Sequence, residues 1–154
     1  MFMIFVRLVS AFVTAACFCY LFKGPNKDIF HCGITGLLGW LMLEFVGLLN
    51  GGTSDVFWAT VTVAGVSLYF AHTRKTITTI YLVTGIIPYV PGGAIYRTMY
   101  NLVFHMTDEA AAAGLGAFLS AGSIALGIIT VLSLHKLYRQ FRGYYYRKKS
   151  QSPN

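Results

Sequence analysis

Charge is what this sequence has least of. Only 11% of its 154 residues are Asp, Glu, Lys or Arg, where a soluble domain carries about a quarter. Hydrophobic residues make up 56%. No soluble fold of this size needs so much apolar surface, so a water-soluble enzyme or binding domain is excluded. Outside its last residues the chain also lacks a long polar stretch, which leaves no room for a second domain. It has no CxxC pair and no Cys/His spacing suited to a metal. Cys17 and Cys19 lie two apart inside one apolar run, Cys32 begins another, and all three read as small apolar membrane residues. Neither a cofactor nor a metal is expected. No Walker motif is present, so nucleotide-driven work by this chain is not expected.

Acidic residues are the scarcest charges, and the net charge is +7. In a soluble chain that would point to nucleic acid. Here six of the twelve Lys/Arg fall in the last nineteen residues, in KLYRQFRGYYYRKK, with no folded module beside them. Nucleic acid is therefore not expected as a partner. Residues 138–154 read as a basic, aromatic tail facing anionic lipid headgroups at the cytoplasmic surface.

What the chain does have is five apolar runs, bounded at about 2–22, 30–49, 56–71, 77–104 and 110–134. Each is close to the roughly 20 residues that a helix needs to cross a bilayer. None shows the period-two alternation of a barrel strand, and lipid demands internally paired backbones. The expectation is an all-α membrane bundle over residues 1–137. The first run has the look of a secretory signal, with a faint lipoprotein-like box at Val13–Cys17. No basic region precedes its apolar core, because Arg7 lies within it, and it is read as a retained span.

The basic residues orient the bundle. The first connection carries Lys23 and Lys27, the third Arg74 and Lys75, and the tail Lys136, Arg139, Arg142, Arg147, Lys148 and Lys149. The second and fourth connections carry none. With five crossings, all ten fall on one side, which places the N-terminus outside and the C-terminus in the cytoplasm. Thr107 is placed to cap the fifth span, with Asp108 and Glu109 against its positive dipole end, and Asp55 stands similarly in the third.

The fourth run is interrupted by Pro88, Pro91, Gly92 and Gly93. Neither proline can donate a backbone hydrogen bond, and each disfavours helix in the residue before it. A full break near the bilayer midplane is expected, with half-helices of about 15 and 18 Å. The second half would begin at Gly92–Gly93 with free N–H groups, a positive dipole end and no side chain in the way, a setting for a substrate carboxylate. Gly93, Arg97, Tyr100 and Asn101 share one face, so Arg97 could grip the same carboxylate in a bidentate manner. The alternative is a packing kink with Arg97 paired to a neighbouring helix.

Glu44 is the one acid deep inside a run. It is a candidate for a coupling proton or a substrate ammonium, or else a structural partner of Arg97 or Arg7. Arg7 is near enough to the outer end to snorkel. His31, His72, His105 and His135 fall at span ends and read as interfacial. Ala113, Ala117, Ala121 and Ala125 recur every four residues in the last run, and Gly33, Gly36 and Gly39 line the second. Such small faces allow close helix packing, within one chain or against a partner.

The sequence Ile87-Pro88-Tyr89-Val90-Pro91-Gly92, followed by Tyr96-Arg97-Thr98-Met99, resembles the threonine/serine exporter (ThrE) family in its small-subunit form. The glycine-rich second run, the Gly51-Gly52 connection and the small-residue last run support the resemblance, which covers about Cys32–Leu137. It implies a chain matching the shorter, C-terminal membrane half of a family whose longer members hold two hydrophobic halves. A larger ThrE-type membrane subunit is then the expected partner, in a bacterial cytoplasmic membrane. The resemblance further implies export of threonine and serine or of dicarboxylates such as succinate. Pro88, Pro91, Gly92 and Tyr96 match the family motif. The expected function is a subunit of a proton-coupled secondary exporter of small carboxylates, not an enzyme. The alternatives are a non-transporting scaffold subunit and a homo-oligomeric channel.

Overall fold

A computed structural model describes residues 2–50 and 54–150, with side chains placed for 3–49 and 54–141. Six α-helices follow one another: α1 (Phe2–Leu21), α2 (Ile29–Asn50), α3 (Ser54–Arg74), α4 (Thr78–Ile86), α5 (Gly92–Val103) and α6 (Thr107–Ser150). No strand occurs among the described residues. Four of these helices are long and apolar enough to cross a membrane, and α4 with α5 makes a fifth span if the bent pair is counted as one. The chain is an all-α membrane protein.

α2 is the centre of the bundle, with α1, α3 and α4 packed around it. Its glycines are where neighbours come close. A Cβ on Gly33 would stand 2.6 Å from the Phe12 ring, one on Gly36 2.5 Å from Ala15 Cβ, and one on Gly39 2.5 Å from Val63 Cγ2. The glycine stripe of α2 is therefore spent inside this chain, against α1 and α3. Lipid supplies no hydrophobic drive between helices, so such close approach is what holds them. The main core cluster is Ala59, Val63 and Ala64 of α3 with Leu82, Ile86 and Tyr89, and Trp40 of α2 packs onto it.

α6 lies on the outer side of α3 and extends beyond it. A Cβ on Gly127 would meet Thr60 Cβ at 2.8 Å. The helix opens at Thr107 with Asp108 and Glu109 in its first turn and has 44 residues, well past the expected end at 134. At 1.5 Å per residue it is about 66 Å long, some twice the bilayer core. The tail is thus helical to Ser150, and its side chains from 142 on lie outside the described residues.

The first and third connections meet at one end of the bundle. Arg74 Nε donates to Asp28 Oδ1 at 3.0 Å, and its Nη2 donates to the Lys27 carbonyl at 2.8 Å. Thr76 Oγ1 donates to the other Asp28 oxygen at 3.1 Å. Asp28 is fully buried by these partners. Just inside, Cys19 and Cys32 are buried free thiols 2.9 Å apart, joining the end of α1 to the start of α2.

Candidate functional site

The break between α4 and α5 forms where the prolines foretell it. α4 runs into a 3-10 turn over Ile87–Tyr89. Val90 is extended at φ −56°, ψ 135°, and Pro91 follows at φ −74°, ψ 45° before α5 begins. The two segments are bent by 49°. Backbone groups are only partly paired here. The Val90 N–H reaches Ile87 O at 3.4 Å, the Gly92 N–H reaches Val90 O at 2.7 Å, and the Ile95 N–H reaches Pro91 O at 3.1 Å. The Gly93 and Ala94 N–H groups find no acceptor among the described residues. They are the orphan donors that every helix start leaves, and no side chain caps them.

The two flanks of the break sit in opposite surroundings. On the α4 side, Pro88 Cγ lies 3.6 Å from the Cβ position of Gly36, and the buried Tyr89 ring lies against Gly39. On the α5 side, Gly92 and Gly93 are exposed, and a Cβ on either would meet no atom within 4 Å. The two free N–H groups thus lie at the positive end of a 12-residue helix, one on the exposed Gly93 and one on the half-buried Ala94.

α5 buries no residue. It rests on α6 through its half-buried Ala94, Thr98 and Asn101, with Thr98 Cγ2 3.3 Å from the Cβ position of Gly114. Arg97 is exposed, with no hydrogen bond or ion pair among the described residues. Tyr96, Tyr100 and Phe104 form an aromatic row beside it, with ring centroids 6.2 and 4.6 Å apart. Gly93, Arg97 and Tyr100 thus share an open face, while Asn101 at its edge turns toward α6.

Glu44 is elsewhere. Its Oε1 accepts from Arg7 Nη1 at 2.9 Å and from Trp40 Nε1 at 3.3 Å. Of the two cationic partners considered for it, the structure pairs it with Arg7 and leaves Arg97 apart. His72, His105 and His135 are exposed at helix ends or beyond the core, and His31 stacks edge-on to Phe70 at 5.0 Å. Of the four-residue alanine ladder, Ala117 is buried and Ala113 half-buried, whereas Ala121 and Ala125 face outward. The inward stripe of α6 runs instead through Ala110, Ala117, Ile124, Gly127 and Val131, close to a seven-residue repeat.

Sequence reasoning passed over the Asp28–Arg74 clamp, whose partners are 46 residues apart. The signal was present: Asp28 is the one acid in connections that otherwise carry lysine and arginine.

A search of the curated proteins and one of the solved structures return no match. A family model described as "Threonine/Serine exporter, ThrE" matches residues 7–134. The match reaches further toward the N-terminus than the Cys32 limit of the sequence resemblance and takes in most of α1 along with the break and the α5 face. A model covering this much of the chain settles the family: the protein belongs to the threonine/serine exporters of the ThrE type, a family of membrane transporters.

Proposed function

We propose that this chain is one half of a secondary exporter of small carboxylates, with the substrate carboxylate bound at the start of α5. The observation that carries the reading is an uncapped helix start and an exposed cation on the same half-helix. Two free N–H groups, at Gly93 and Ala94, and the unpaired Arg97 one turn on belong to a half-helix that buries none of its residues. A guanidinium within a membrane span needs a partner, and a carboxylate held by Arg97 and the helix start together would supply it. Tyr96 and Tyr100 flank that position, and Asn101 offers a further polar group at its edge.

Among the described residues α6 is the element packed on α5, and its other face is read as half of an enclosure. A larger ThrE-type membrane subunit is proposed to close it, and threonine, serine or a dicarboxylate such as succinate is the proposed cargo. Proton coupling is assigned to Glu44. It is the acid farthest inside a span, and Arg7 is a counter-ion for which a proton could exchange.

The test is efflux of radiolabelled threonine, serine and succinate from preloaded cells that express this chain with its candidate larger partner. Wild type and Arg97→Ala are compared at matched membrane abundance. Loss of efflux of one substrate in the variant supports the carboxylate site and names the cargo. Unchanged efflux removes Arg97 from the mechanism. No efflux of any of the three in wild type favours a scaffold subunit, and downhill flux indifferent to the proton gradient favours a channel.

A further inference from the structure

We propose that the groove between the end of α1 and the start of α4 is a binding site for a single anionic phospholipid. Its phosphate would rest against Lys23 and its acyl chain along α4. The groove has a volume of ≈ 700 Å³ and lies at the end of the bundle where the first and third connections meet. Its walls are apolar, with Phe22 from the end of α1 facing Ile80 and Val83 of α4. Thr79 and Val83 stand one turn apart, so the lining climbs about 6 Å from the connection into the depth of the bilayer. Phe22 and Val83 are 51% and 40% exposed, so this wall is open toward lipid.

Charge identifies the occupant. Lys23 lines the groove, and Lys27 and Lys75 belong to the two connections that border it. All three are exposed, and none of their ammonium groups has a hydrogen bond or ion pair among the described residues. No Asp or Glu lines the groove. The nearby acid, Asp28, is fully buried and already bound to Arg74, so it cannot answer these lysines. At the rim, the Thr78 and Thr79 N–H groups of α4 have no acceptor among the described residues, and Ile77 gives no side-chain cap. The result is an apolar channel at membrane depth with uncompensated cations at headgroup level. That is the pattern by which basic pockets between membrane helices take anionic headgroups. A second protein helix laid in the groove would bury those lysines without a counter-charge, at a desolvation cost that a lipid with its headgroup in water avoids. The site is separate from the α5 face and does not depend on the transport reading.

Two measurements on the full chain decide the matter. A photoactivatable benzophenone amino acid at position 83, irradiated in cell membranes, is expected to give an adduct of phospholipid mass. An adduct of protein mass overturns the proposal, whether with a second copy or with another subunit. Separately, the purified chain in neutral detergent is offered equal phosphatidylglycerol and phosphatidylcholine, and retained lipid is read by native mass spectrometry. Phosphatidylglycerol should be kept at least about tenfold over phosphatidylcholine, and Lys23→Gln should cut that preference by about fivefold, the effect of one lysine near an anionic lipid. Equal retention of the two lipids, or a preference indifferent to Lys23→Gln, overturns the site.

Discussion

α4 and α5 come from one apolar stretch of sequence and end in opposite environments. α4, nine residues long, sits among α1, α2 and α3 and buries Tyr81, Leu82, Thr84, Gly85 and Ile86. α5, twelve residues long, buries none and leans on α6. The glycines make the same contrast. A Cβ on Gly85 would stand 2.8 Å from both Thr35 Cγ2 and Val63 Cγ1, whereas one on Gly93 would touch nothing. Gly85 is glycine because two helices press on it. Gly93 has no such packing reason among the described residues, and under the proposed function its role is to leave the N–H accessible. The break therefore divides the bent pair into a half that is packed into the bundle and a half that stands clear of it.

Substitutions that treat the two halves alike should separate them. Gly85→Leu forces a side chain into a closed contact and should cost about 3 kcal/mol or more. The expected result is loss of membrane abundance and a lowered melting temperature in detergent. Gly93→Leu should leave both unchanged and reduce efflux about tenfold or more, as expected from losing one charge-assisted hydrogen bond of about 1.5–3 kcal/mol to the cargo. If Gly93→Leu instead destabilises the chain as Gly85→Leu does, the division between the halves fails.

Asp28→Asn comes next in size. It tests whether the clamp below α4 belongs to the structural half. Losing the charge on the fully buried Asp28 weakens its bonds to Arg74 and Thr76, and Arg74 is open enough to regain water. A cost of about 1–3 kcal/mol is expected, visible as a lower melting temperature with substrate affinity unchanged. Thr98→Val should have the smallest effect. The Thr98 hydroxyl donates to Ala94 O within its own helix at 2.8 Å, and it is the methyl that comes nearer the Gly114 Cβ position, at 3.3 Å against 3.6 Å for the hydroxyl. Stability should stay within about 0.5 kcal/mol, and a larger loss would show that α5 is held on α6 more firmly than its exposure indicates.

The helices were legible because lipid imposes length and hydropathy directly. The second run was bounded at 30–49 and the helix is Ile29–Asn50; the fourth at 77–104, and its two helices fill 78–103 around the foreseen break. Facing was not legible. In water a helix shows its inner side by an apolar stripe, but in a bilayer both sides are apolar and hydropathy carries no direction. That is why the every-fourth alanine pattern of α6 could not say which of its residues pack inside the chain: Ala113 and Ala117 turn inward, whereas Ala121 and Ala125 face outward. It is also why Gly127, pressed against Thr60, went unnoticed. Pairing was equally hidden. Glu44 had two candidate cations at similar depth, and only the packing of α1 on α2 brings Arg7 to it. For the α5 site, the proline–glycine pattern announced the break and the free N–H groups. It could not announce that α5 would stand clear of the core, because that depends on α6 taking it up.

The length of α6 carries that arrangement well beyond α5. The helix touches α5 near Gly114 and bears on α3 near Gly127, then runs on unbroken to Ser150. From the α3 contact, the stretch toward α5 is about 20 Å and the stretch toward the tail about 35 Å. One continuous helix thus ties α5 to the tail across the α3 contact, whereas α4 is held in the core by other helices and is joined to α5 through the short stretch of Val90 and Pro91.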